Sequence, residues 1–325
     1  MLPMKKSWLI WAAVGLIGGG VLAWMRAPAA DAPPVTTRQT DGTATTTSAP
    51  VEEAGTALAE QCRQMAAVLE TQLDPTFSVL VEPPFVMAGN MRKTDLTAHR
   101  EQSVVRPAAA MWRTYFTRRP DEPITVLLLT DRGVRPPADD RDPGYAYRAW
   151  ARKLFGDQPV SGCGYYKPDR RTMVVNIDTG GGTLVHELTH ALIPYDFPHA
   201  PDWINEALAS LHEQCRVEED GIVGLPNWRL RDLQKALATG TLRPLADLVT
   251  KDDFRENQPG LNYAQARYFA MYLQHRGKLR DFYCYYRDHG TGERAAVAAI
   301  EHVFGESIDD VERSFLAWVN TLQFE

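Results

Sequence analysis

The stretch from Gly180 to Pro194, GGGTLVHELTHALIP, constrains this chain more than any other, because it sets His186, Glu187 and His190 in the pattern H-E-x-x-H. On an α-helix, positions i and i+4 lie on one face. Two imidazoles at that spacing can reach a single metal ion while the glutamate between them flanks the ion's open position. The apolar residues Leu184, Val185, Leu188, Ala191 and Leu192 suit a buried helix, and Thr183, just ahead of them, is the expected N-cap. Gly180, Gly181 and Gly182 are not a phosphate cradle, since no Gly-Lys-Ser/Thr follows them.

Around this helix the chain divides in two. From about Ala57, helix and strand signals alternate: ALAEQCRQMAAVLETQL has helical spacing, FSVLVE and ITVLLLT read as strands, and a helix is expected near residues 95 to 117. YAYRAWARKLFG reads as a short helix, and GYYKPDRRTMVVNID as two strand pieces around a turn leading into the glycines. After residue 203 the pattern turns helical, with candidates at 203 to 215, 227 to 239, 262 to 276, 278 to 288 and 307 to 322. The expected fold class is α+β, with a mixed β-sheet N-terminal half and an α-helical C-terminal half.

The N-terminus carries a different signal. Lys5 and Lys6 precede an uncharged apolar run from Trp8 to Met25, closed by Arg26, which is long enough for an anchor helix and longer than a usual signal-peptide core. Ala27-Pro28-Ala29 leaves cleavage of a signal peptide as the other outcome. The expected partition is a transmembrane helix over 1–26, a Pro/Thr/Ala-rich linker over 27–55 and one folded domain over 56–325. Charge placement sends that domain across the membrane, which suits a single-pass protein of a bacterial inner membrane with a periplasmic domain.

A net charge of -6 over 325 residues, with no Lys/Arg block, excludes a nucleic-acid footprint. Cys62, Cys163, Cys215 and Cys284 permit two disulfides in any of three pairings, or free buried thiols. No C-x-x-C pair points to a thiolate metal site.

Catalytic zinc takes three protein ligands, so H-E-x-x-H alone is incomplete. Downstream, PDWINEALASLHEQC offers Glu206 on a second helix opened by Pro201 and Asp202. HELTH followed by WINEALA resembles the gluzincin group of zinc metallopeptidases, the thermolysin-like and aminopeptidase-N-like enzymes and their small peptidase-MA-like relatives. The likeness extends more loosely over residues 75 to 320, through MVVNI and YAQARYFAMYL, although the spacer between HELTH and Glu206 is shorter than in thermolysin-like enzymes. The metzincin pattern fails, since Ile193 and Asp196 stand where glycine and histidine are needed.

The resemblance implies a zincin-like domain in which His186, His190 and Glu206 hold Zn2+ and Glu187 is the general base. It also implies that a later tyrosine, for which Tyr263 is the candidate, donates to the developing oxyanion. Tyr263, Tyr268 and Tyr272 share a helix rich in Ala, Phe and Met, where a core aromatic is the plain alternative. His199 and His212 are competing ligands, and Ser210 either orients a ligand or bonds to its own helix. In resembling families an edge strand before the metal helix pairs with an extended peptide substrate, a role open to TMVVNI, which otherwise is an ordinary core strand. The expected activity is peptide-bond hydrolysis by a membrane-tethered endopeptidase, with peptide or protein as substrate. The alternative is a catalytically silent envelope module that keeps the fold.

Overall fold

The computed structural model describes residues 49–138, 142–156 and 162–324, with side chains from residue 55 onward. The expected membrane helix and most of the linker lie outside the described residues. Among the described residues no helix is long and apolar enough to cross a membrane.

The first helix, α1 (Ala49–Gln72), starts inside the stretch read as linker, where Glu52, Glu53 and Ala54 extend its helix-favouring sequence. Strands β1 (Ser78–Glu82) and β2 (Phe85–Gly89) form a hairpin. Helix α2 (Lys93–His99), a π-helical turn over Arg100–Val105 and helix α3 (Arg106–Thr114) then form one continuous rod in place of the single helix expected near 95 to 117. Strand β3 (Ile124–Leu129), helix α4 (Tyr145–Phe155), and strands β4 (Gly164–Lys167) and β5 (Thr172–Asn176) complete this half.

The five strands pair in the order β1-β2-β3-β5-β4. β2, β3 and β5 run parallel, while β1 and β4 close the two edges antiparallel, giving a mixed sheet. Both faces are covered, which is why ITVLLLT and TMVVN read as unbroken apolar runs rather than alternating ones. Phe85, Met87, Val126, Leu128, Met173 and Val175 face the main core under the H-E-x-x-H helix. Val86, Ala88, Leu127, Leu129 and Val174 face a smaller core with Cys62, Ala66, Leu69 and Leu73 of α1. The alternation is the two-residue period of a strand sorted between two layers.

The second half is almost wholly helical. α5 (Gly181–Asp196) and α6 (Asp202–His212) are followed by a small hairpin of β6 (Cys215–Val217) and β7 (Ile222–Gly224). The chain ends with α7 (Arg229–Ala238), α8 (Leu245–Thr250), α9 (Pro259–His275), α10 (Leu279–His289), α11 (Ala295–Phe304) and α12 (Ile308–Val319). This arrangement establishes the α+β class with a mixed sheet and many helices.

Two expectations are corrected. TMVVNI is not an edge strand: β5 lies between β3 and β4, and its Met173, Val174 and Val175 are fully buried. Thr183 is not the N-cap, because α5 begins at Gly181 behind Gly180, whose φ of 105° suits glycine alone, and Thr183 instead faces Thr179 at 3.2 Å. The four cysteines are free thiols.

Candidate metal centre

α5 and α6 pack against each other, and α9 lies behind α6. The close approach of α5 to the end of α6 depends on Gly182, where a Cβ would sit 2.2 Å from the carbonyl oxygen of Glu213. That contact sets the first turn of α5, and with it His186, against the chain leaving α6.

The three residues singled out as ligands come together. His186 Nε2 and His190 Nε2 are 3.0 Å apart, and Glu206 Oε2 lies 3.7 Å from the first and 3.5 Å from the second. A point equidistant from those three atoms sits about 2.0 Å from each, which is the length of a zinc–nitrogen or zinc–oxygen bond. Among the described residues, theirs is the group of His, Cys, Asp and Glu side chains whose donor atoms all fall within 4.8 Å of one another. Glu206 is fully buried and His190 nearly so.

The outer nitrogens fix which atoms point inward. His190 Nδ1 is 2.9 Å from Asn205 Oδ1, an acceptor, so the Nδ1 proton is donated there and Nε2 is left with its lone pair. His186 Nδ1 stands 3.3 Å from Glu213 Oε1, an ion-pair separation without hydrogen-bond geometry. The two Nε2 atoms then face each other and a carboxylate oxygen. Such a triad calls for a positive charge among its members, which a divalent metal ion or a proton on His190 supplies. The residues therefore fit a metal ion by distance and by donor type.

The surrounding charges favour a positive charge within the triad. Burial opposes a charge on His190, yet the Glu206 carboxylate draws its pKa up to about 9. Burial would raise the Glu206 carboxyl, but His190, Arg255 and His186 hold it well below the usual carboxylate range. Arg255 pairs with Glu206 Oε1 at 2.7 Å and with Asp202 at 2.7 Å, which leaves Oε2 for the histidines.

Glu213 is held below the usual range against its own burial by Arg229, whose Nε and Nη2 reach its two oxygens at 3.0 and 2.8 Å. Glu213 and Arg229 escaped the sequence reading. Their signal was available, since Glu213 follows Glu206 by seven residues, two helical turns along the same face.

Glu187 is buried, with burial raising its pKa and the two histidines opposing that rise. One carboxylate oxygen takes the backbone N–H of Tyr166 on β4, while Oε2 is buried without a hydrogen-bond partner.

Tyr263 is brought to the rim. Its hydroxyl accepts a bond from Arg255 Nη1 at 3.2 Å and donates to the Glu206 carboxylate, and burial raises its pKa, so the phenol stays protonated. The other tyrosines are core residues: Tyr268 binds the backbone of Asn227, and Tyr272 is capped by Arg276.

The competing ligands are placed elsewhere. His199 is exposed in the loop between α5 and α6. His212 is fully committed, with Nδ1 at 3.0 Å from Thr189 Oγ1 and Nε2 at 3.1 Å from Tyr115 OH. Ser210 does neither of the things expected of it, as its hydroxyl is buried without a hydrogen bond. Asn205 and Glu213 orient the histidines instead.

No protein-family model matches the chain, and no curated protein and no solved structure matches it either, so the identity of the site rests on its geometry.

Proposed function

We propose that this chain is a zinc-dependent peptidase of gluzincin type, with His186, His190 and Glu206 as ligands and Glu187 as general base. The observation that carries it is the convergence of two Nε2 atoms and Glu206 Oε2 at zinc-ligand separations beside the buried Oε2 of Glu187. Nitrogen and carboxylate donors in a set of three favour zinc and leave a fourth position open. A mixed sheet under the metal helix, with the third ligand supplied by the helical half, supports a zincin-like domain.

When bound, zinc supplies Lewis acidity, polarising a carbonyl and making water easier to deprotonate. Glu187 takes the proton from the attacking water and passes it to the leaving amine; the raised pKa of this carboxyl brings it closer to the pH at which it must both accept and release. Tyr263 donates its phenolic proton toward the developing oxyanion. Arg255 holds both Glu206 and Tyr263, tying the third ligand to that donor.

β4 is the edge strand next to Glu187 among the described residues, its Tyr166 backbone reaches Glu187, and an extended peptide would pair alongside it. Strand pairing of this kind suits internal peptide bonds, in keeping with an endopeptidase. The Lys-flanked apolar N-terminus supports a place in the bacterial envelope, with the domain outside the cytoplasm.

The test is cleavage of a mixed peptide library by the full chain loaded with zinc. Cleavage that a chelator stops and zinc restores, and that Glu187→Gln lacks while retaining zinc, is the expected result. Zinc binding with no cleavage by the parent would favour a silent binding module.

A further inference from the structure

Trp228 is 41% exposed, and among the described residues Val68 is the other large apolar side chain left so open. The indole is nevertheless held in place. The Arg229 guanidinium lies 4.3 Å from its ring centroid, and the same guanidinium grips both oxygens of Glu213. Glu213 in turn stands 3.3 Å from His186 Nδ1. Arg229 also lies 5.5 Å from the ring of Tyr263, so the indole and phenol rings are at most about 10 Å apart.

Followed through these contacts, the indole is within roughly 13 Å of His186, the reach of about four residues of extended peptide at ~3.3 Å each. A large apolar ring left facing water forgoes the stabilisation of burial. Here it stacks with the side chain that also grips Glu213, the carboxylate standing beside His186. Rigid aromatic side chains of this kind are the usual anchors of recognition, because little conformational freedom is lost when they are covered.

We infer that Trp228 forms a specificity wall of the cleft and takes a large apolar or aromatic side chain of an extended peptide, within about four residues of the bond that is cut. The inference rests on the peptidase assignment proposed above and adds to it the class of substrate side chain. Trp228 is a binding residue in it and has no part in proton transfer.

The experiment measures kcat/KM of the full zinc-loaded chain on paired peptides that differ only in Phe or Ala at each position within about four residues of the cleaved bond. The parent prefers Phe at one position. In Trp228→Ala the Phe-to-Ala ratio at that position falls about tenfold, while Trp228→Phe keeps most of it and both variants hold zinc at the parent level. A ratio unchanged in Trp228→Ala overturns the inference and leaves the peptidase assignment standing. Loss of zinc in both variants makes the indole a structural support and overturns it as well; if only Trp228→Ala misfolds, Trp228→Gln must show the lost preference in its place. A parent that cuts none of the peptides overturns the peptidase assignment, and this inference with it.

Discussion

Two buried histidine clusters lie one residue apart on α5 and differ in a single respect. At Thr189 the helix meets His212, whose two ring nitrogens are both matched, one to a threonine hydroxyl and one to the Tyr115 phenol. At His190 it meets His186 and Glu206, where the outward Nδ1 atoms face acceptors and the inward Nε2 atoms face only each other and a carboxylate. The first cluster is complete as it stands. The second has the distances and donor atoms to hold a cation. Burial alone therefore does not separate a structural histidine from a candidate ligand; what separates them here is whether nitrogen and carboxylate donors converge on one point.

The contrast is open to attack by substitution. The largest effect is expected from Glu187→Gln, which removes the proton acceptor and leaves the ligands: hydrolysis falls by about 10²- to 10⁴-fold with zinc content unchanged, as steady-state kinetics and metal analysis would show together. Parent-like turnover in that variant would remove Glu187 from the chemistry.

The orienting groups come next. Glu213→Gln and Asn205→Ala, each of which weakens the outer support of one imidazole, are expected to weaken zinc affinity by about 10- to 100-fold in competition with a chelating dye. His212→Ala probes the other cluster. It leaves a cavity and strands the Tyr115 hydroxyl, so chemical denaturation is expected to show a loss of about 2–4 kcal/mol with zinc stoichiometry intact.

The smallest effect is a pH dependence. Burial, with Arg267 nearby, lowers the His212 pKa to about 3, below its unfolded value near 6.5. The unfolded chain therefore gains the proton first as pH falls. The stability tied to neutral His212 is fully present above about pH 6.5 and is lost between there and pH 3, at roughly 1.4 kcal/mol per pH unit. Unfolding curves at pH 7 and pH 5 should converge in His212→Ala relative to the parent, and an equal pH slope in both would show that this histidine is not the group responsible.

Much of this contrast was legible beforehand. The spacing of His186 and His190 fixes a shared helical face, and Glu206 sits on a helix that Pro201 and Asp202 announce. ITVLLLT and TMVVN could be read as strands because β-branched and leucine runs of that length suit a sheet buried on both faces. β2 was missed, as FVMAG is short and ends in small residues. α11 was missed because AAVAAIEHVF is apolar nearly all round, and α8 because it is little more than one turn.

Which strand forms the edge could not be read locally, since TMVVN looks the same whether or not GYYK pairs beside it. Glu213 was passed over because it lies just beyond the end of α6, and its role depends on Arg229, which is sixteen residues further along. The fate of His212 likewise turned on Tyr115, 97 residues away in sequence.

The central claim is that a cation completes one cluster and not the other. Elemental analysis of the parent, Glu206→Ala and His212→Ala, all purified without chelators, tests it most directly. The account predicts one zinc per chain in the parent and in His212→Ala, and little or none in Glu206→Ala. Zinc retained in Glu206→Ala but lost in His212→Ala, or absent from the parent itself, would contradict it.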